Sequence, residues 1–154
     1  MSGSTAISRT KPPLPLRWLK EQGLLRGRYR LDYGCGRRVW YGMSGHDPYW
    51  KPGRLGTRGS HEGTCYMFFD SVDVRFDTIT CIYVLNVVPE NMQKRIIRHI
   101  RFLLKPNGVA YIAVRRDLPR AGRKGRSVEQ RYVELDFPVY RETSTYAIYQ
   151  VPPA

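Results

Sequence analysis

At 154 residues, with 42% of them hydrophobic, the chain suits one globular domain with a single core. Its 26 Lys and Arg against 13 Asp and Glu give a net charge of +13, a field that attracts anionic partners without specifying any nucleic-acid sequence. No apolar run approaches a membrane span, and Met1 to Thr5 lacks the basic-then-apolar pattern of a secretory signal, so a cytoplasmic protein without membrane contact is expected.

Residues 1–12 are polar and read as a flexible arm, with residues 13–154 as the folded domain. Pro13-Leu14-Pro15 can open a helix, which Leu16, Trp18, Leu19 and Leu24 continue as an amphipathic stretch ending near Gly23. Tyr29 to Tyr33 reads as a strand running into a glycine-rich turn, and Arg37 to Met43 as a short helix or loop. Gly45-His46-Asp47-Pro48 ends a very short strand, and residues 49–64 read as an irregular surface loop. Phe76 to Leu85 has the near-continuous apolar character of a buried parallel strand. Asn91 to Leu104 carries Ile96, Ile97, Ile100 and Leu103 at helical spacing, with Lys94, Arg95, Arg98 and Arg101 mostly off that stripe. Pro106-Asn107-Gly108 stops this helix before a strand over Val109 to Val114. Residues 115–131 form a basic, mobile loop, and Tyr132 to Phe137 with Thr145 to Val151 alternate as an antiparallel pair. The order implies an α/β fold: a mostly parallel sheet, a C-terminal antiparallel hairpin and few helices.

Cys35, Cys65 and Cys81 are odd in number and form no C-x-x-C, and His61, Glu62 and Cys65 offer too few ligands, so neither a disulfide framework nor a metal site is expected. The chemistry concentrates where a strand ends in Asp32-Tyr33-Gly34-Cys35-Gly36. The glycines allow the backbone close to a ligand. The turn lies at the carboxyl end of a strand, where open α/β sheets bind ligands, and a later acid, Asp47, can hold ribose hydroxyls beside Pro48. A nicotinamide-dependent oxidoreductase uses a similar turn but wants a third glycine where Val39 stands, and its pyrophosphate sits poorly beside Asp32. The carboxylate suits the sulfonium and ammonium of S-adenosylmethionine.

Leu31-Asp32-Tyr33-Gly34-Cys35-Gly36 resembles the first motif of class I S-adenosylmethionine-dependent methyltransferases, which have a Rossmann-like fold. Asp47 resembles the acid of their second motif, Phe76-Asp77-Thr78-Ile79 with Val84-Leu85-Asn86-Val87 their fourth strand, and Leu103 to Gly108 the segment before their fifth. Together with Thr5 to Arg9 and Asp47-Pro48-Tyr49, these residues are similar to a bacterial and phage group, some of whose members are associated with DNA phosphorothioation. The resemblance implies that Asp32, Gly34, Cys35 and Gly36 cradle the methionine part, and that Asp47 holds the ribose with Pro48 beside it. It places Asp70, Ser71 and Val72 against the adenine, and Tyr83 and Asn86 toward the methyl group.

The passage from Gly36 to Asp47 is too short for the usual helix between strands, and neither an Asn/Asp-Pro-Pro-Tyr/Phe motif nor a Pro-Cys nucleophile is present. Trp40, Tyr41, Tyr49 and Trp50 either stack on a base or patch the core where that helix is missing. Tyr83 reads alternatively as core and Asn86 as a helix cap. Ile7-Ser8-Arg9 is an arm or a lid. Arg9 with Arg115, Arg116, Arg120, Arg123, Lys124 and Arg126 are candidate phosphate contacts; the other reading of 115–131 is a solvated linker. His61 is a candidate base, whereas His46 packs locally and His99, on the helix among arginines, is solvated or structural. The expected activity is methyl transfer to an anionic acceptor such as DNA or RNA, by a chain whose exposed sheet edge suits a homo-oligomer. The alternative is a non-catalytic nucleic-acid-binding module with a degenerate cofactor pocket.

Overall fold

The computed structural model describes residues 10–36, 38–47, 75–125 and 129–154. Helix α1 (Leu14–Glu21) begins at Pro13, with Pro15 in the first turn, where the amide a proline lacks has no helical partner anyway. It stops in a Schellman turn: Gly23 adopts φ +69°, its N–H reaches Lys20 O at 3.1 Å, and Leu24 N–H reaches Leu19 O at 3.0 Å. Helix α2 (Glu90–Leu103) has Glu90 at its positive end and Arg101 in its last turn, both favourable to the helix dipole. The Gln93 side chain donates to Leu85 O and Val88 O at 3.1 Å each and ties the helix to the segment before it.

The strands are β1 (Arg30–Tyr33), β2 (Ser44–His46), β3 (Phe76–Ile82), β4 (Leu104–Arg115), β5 (Arg123–Lys124), β6 (Glu129–Gln130), β7 (Val139–Glu142) and β8 (Tyr146–Val151). Six form one sheet in the order β2-β1-β3-β4-β8-β7; β5 and β6 form a separate small hairpin. Strands β2, β1, β3 and β4 are parallel, and β8 and β7 join antiparallel. Among the described residues this is the expected mostly parallel Rossmann-like sheet with reduced helices and a C-terminal hairpin.

Strand β4 shows why both faces are covered. Ala110, Ile112 and Val114 join a core with Ile100 and Leu103 of α2, whereas Tyr111 and Ala113 join another with Leu16 and Leu19 of α1. Side chains alternate along a strand, so the two helices lie on opposite faces. The connection from β1 to β2 is a loop rather than a helix. It turns at Trp40 to Met43 (Met43 N–H to Trp40 O, 3.1 Å) and buries Val39 and Met43 in the α1-side core, with Trp40 and Tyr41 packed against them. These aromatics therefore fill the face a crossover helix would cover.

Three expectations need correction. Pro106-Asn107-Gly108 lies within β4, because the strand starts at Leu104 opposite Phe76, bulges, and resumes with Val109 opposite Thr78. Tyr132 to Phe137 is not a strand. Its alternation is real, with Val133 buried and Leu135 and Phe137 packed on the α2-side core, but its backbone pairs elsewhere: Val133 O accepts from Arg116 Nη1 at 2.8 Å. The hairpin partner of β8 is β7 instead. Within the segment taken as a mobile basic loop, the described residues include the paired strands β5 and β6. Among the described residues no helix is long and apolar enough to cross a membrane.

Candidate active site

Asp32 sits in β1 opposite Thr80 of β3, and the Thr80 hydroxyl donates to Asp32 Oδ1 at 2.9 Å. Burial pushes the Asp32 carboxyl up to about 7, the nearby Asp47 charge adds to the rise, and the Thr80 hydrogen bond opposes it. The chain then turns at Gly34, whose φ of +78° suits glycine and whose N–H reaches His46 O at 2.6 Å. A Cβ on Gly34 would lie 2.5 Å from Val84 Cγ2, so the turn also packs against the segment leaving β3. Cys35 N–H shares His46 O at 3.2 Å, and Gly36 N–H donates to Asp47 Oδ2 at 3.0 Å.

A cavity of about 460 Å³ opens beside this turn. Asp32, Gly34, Cys35 and Gly36 line one end; Tyr83, Arg115, Asp117, Gln130 and Thr145 line another part, with Trp40, Ile82, Val84 and Val87 between and Pro13, Leu14 and Arg38 also contributing. It stands at the carboxyl ends of β1, β3 and β4, where the strand order reverses, the usual ligand position in an open α/β sheet. Its size lies in the ordinary range for small-ligand sites. Tyr83 leaves β3 with φ +61°, a left-handed conformation costly for an aromatic residue, held by its N–H to Ala113 O at 2.9 Å.

The structure brings Asp32, Gly34, Cys35, Gly36, Tyr83 and Arg115 to this cavity and reassigns three other candidates. Asn86 is fully buried. Its Oδ1 accepts from Arg115 N–H at 2.9 Å, its Nδ2 donates to Arg131 O at 2.7 Å, and its carbonyl accepts from Arg131 N–H at 2.7 Å, so its side chain links backbone segments instead of facing a methyl group. Asp47 is 2% exposed, lies outside the cavity lining and braces the glycine turn from beneath. The Arg116 side chain is only 7% exposed, bonded to Glu142 Oε2 at 2.8 Å, Val133 O at 2.8 Å and the Tyr149 hydroxyl at 2.7 Å, with the Tyr132 ring 4.8 Å away. It is an internal clasp rather than a phosphate contact.

Arg120 is exposed and pairs with Glu134, while Arg123 and Lys124 are exposed on β5. Arg9, Pro48, Asp70, Ser71, Val72 and Arg126 lie outside the described residues, as do His61, Tyr49 and Trp50. His99 Nδ1 is 2.7 Å from the Tyr33 hydroxyl, and the Tyr33 ring also packs on His46, so both histidines belong to a packed aromatic cluster; burial lowers the His99 pKa. Asp117, Gln130 and Thr145 were not singled out from sequence. Asp117 carried one usable signal, its place just past the end of a buried parallel strand. No cluster of metal-ligating side chains occurs among the described residues.

The cavity suits a ligand with a cationic end. Asp32 is an acid at its inner wall whose Oδ1 accepts from Thr80, and a cationic donor would favour its ionised form. Fold and site together define a Rossmann-like methyltransferase domain. The chain matches the family described as "Methyltransferase domain" over residues 9–144. It belongs to that family.

Among solved structures it resembles magnesium protoporphyrin IX methyltransferase (ChlM) from Synechocystis PCC 6803. The form with bound SAH is 16% identical, with TM-score 0.56, over 91% of this chain and 80% of that one. The form with bound SAM is 14% identical, with TM-score 0.52, over 91% and 76%. PKMT2 from Rickettsia typhi, in complex with AdoHcy, is 22% identical with TM-score 0.43, over 55% of this chain; the match spans only 20% of that longer protein. No curated protein sequence matches the chain closely enough to count as a relative.

Proposed function

We propose that the cavity holds S-adenosylmethionine with its methionine end against Asp32 and the Gly34 to Gly36 turn, and turns its methyl toward an anionic acceptor entering past Tyr83 and Arg115. The observation that carries this reading is one continuous cavity with a buried acid at the glycine turn and the Arg115–Asp117 ion pair at the end of β4. Bound there, S-adenosylmethionine supplies an electrophilic methyl on a good leaving group. The residues of the chain then align the partners and exclude water. Asp32 receives the cationic end; Asp47 serves through the turn it braces; Tyr83 walls the reacting space. The region of Asp70 to Val72 and Pro48 would complete the adenosine end.

Nucleic acid is the acceptor class we favour, because a net charge of +13 concentrates polyanions around the chain. The likeness of Thr5 to Arg9 and Asp47-Pro48-Tyr49 to the bacterial and phage group supports the same choice. Calorimetric titration tests the cofactor half. S-adenosylmethionine should bind, nicotinamide dinucleotides should not, and Asp32→Asn should weaken binding at least about tenfold, the loss of one charge-assisted contact. Failure of S-adenosylmethionine to bind the wild-type chain would sink the reading. A labelled-methyl assay over DNA, RNA, protein and small molecules then finds the acceptor.

A further inference from the structure

We infer that the part of the cavity lined by Asp117 and Gln130 is a nucleobase-edge site, which reads an amino-bearing base of a single-stranded nucleic acid. This rests on the reading of the cavity as the place of methyl transfer. Gln130 Oε1 is buried and has no hydrogen-bond partner among the described residues, in a side chain that lines the cavity. A buried acceptor left unpaired is costly, and rotation of the amide toward the cavity would let a ligand N–H satisfy it. Asp117 lies in the same lining and is 45% exposed. Arg115 grips it with two bonds, Nε to Oδ1 at 2.9 Å and Nη2 to Oδ2 at 3.0 Å, and thereby holds the carboxyl below its usual range and fixes its plane. Each carboxylate oxygen keeps a further lone pair for a ligand donor.

The polar set therefore mixes acceptors, from Asp117 and Gln130, with donors, from Arg115 and the Gln130 amide. A phosphate offers acceptors only and would be repelled by Asp117. The edge of an amino-bearing base offers both kinds of group in one plane. The remaining walls suit a flat ring: Trp40, Tyr83, Val84 and Val87 are aromatic or aliphatic. In a duplex that edge is already paired, so reading it inside a cavity requires an unpaired or flipped base. Arg38 also lines the cavity and lies over the Trp40 ring at 5.0 Å, which extends the aromatic wall with a flat cationic group. The buried Asn86 sets this part of the cavity as a positioning residue. It fixes the backbone of Arg115, two residues before Asp117, and of Arg131, next to Gln130.

The test is fluorescence anisotropy with short labelled single strands of adenine, cytosine or thymine and one labelled duplex, at fixed salt and saturating S-adenosylhomocysteine, with heparin as a competing polyanion. Adenine and cytosine strands should bind about tenfold more tightly than thymine, which has no exocyclic amine, and more tightly than duplex. Asp117→Asn with Gln130→Ala should erase that preference, bringing the three strands within about twofold of one another even though loss of the Asp117 charge raises the sequence-independent affinity for all of them. Melting curves of the variants confirm that they fold. Equal affinity for the three strands, tighter duplex binding, displacement by heparin with no base preference, or a preference that survives in the double variant would each overturn the inference. Titration of S-adenosylmethionine on the same samples separates the two readings. If it binds and no base preference appears, only the base-edge site falls; if it does not bind, the methyl-transfer reading falls as well.

Discussion

The glycine-turn end of the cavity and the Asp117–Gln130 end are built in opposite ways. The first comes from residues 32–36, contiguous in the chain and shaped by local rules: a strand, a left-handed glycine and an amide pair seated on His46 O. The second gathers Tyr83, Arg115, Asp117, Gln130 and Thr145 from distant parts of the chain, and hydrogen bonds from one buried amide, Asn86, knit two of its segments. A local site survives as long as its own turn does. An assembled site depends on a residue that touches no ligand.

That contrast can be broken from either side. The largest effect is expected from Asn86→Ala, which leaves the Arg115 N–H and the Arg131 carbonyl without their buried partners and should cost about 3 kcal/mol. Chemical denaturation measures the loss, and S-adenosylmethionine should still bind the folded fraction. Gly34→Ala does the reverse: it forces a side chain into a left-handed turn against Val84 at a cost of about 2 kcal/mol and should abolish cofactor binding in calorimetry.

A smaller effect follows from Asp32. Its folded pKa of about 7 lies above the ordinary 3.8, so the unfolded chain loses this proton first. Its contribution to stability is whole below about pH 4 and is lost as pH rises toward 7. Thermal unfolding of wild type should fall across that window relative to Asp32→Asn, and saturating S-adenosylmethionine should reduce the fall by favouring the carboxylate. The smallest effect belongs to Arg120→Ala, a pair 79% and 57% exposed, which should shift stability by less than about 1 kcal/mol.

The same contrast explains what could be read from the sequence. The parallel strands, both helices and the glycine turn were legible because each writes its signature in neighbouring residues: the apolar run of β3, the 3.6-residue stripe of α2, Pro13 and Gly23 at the ends of α1. Residues 132–137 misled because alternation records which side chains are buried, and Val133, Leu135 and Phe137 are turned inward without a strand partner. Arg115 and Arg116 looked alike in a basic run, yet they sit on opposite sides of a strand end. One reaches the cavity and the other is enclosed by Glu142, Tyr149 and Val133. Gln130 had no sequence signal, because its place depends on Asn86 holding the neighbouring Arg131.

The left-handed backbone at Tyr83 sets folding against shape. A glycine there would relieve backbone strain of about 1 kcal/mol but strip a ring packed on the α1-side core. It would also remove the aromatic wall between the two ends of the cavity. Position 83 is thus a point where one ring serves two surfaces, the core on one side and the cavity on the other, and the strained backbone is the cost of holding it between them.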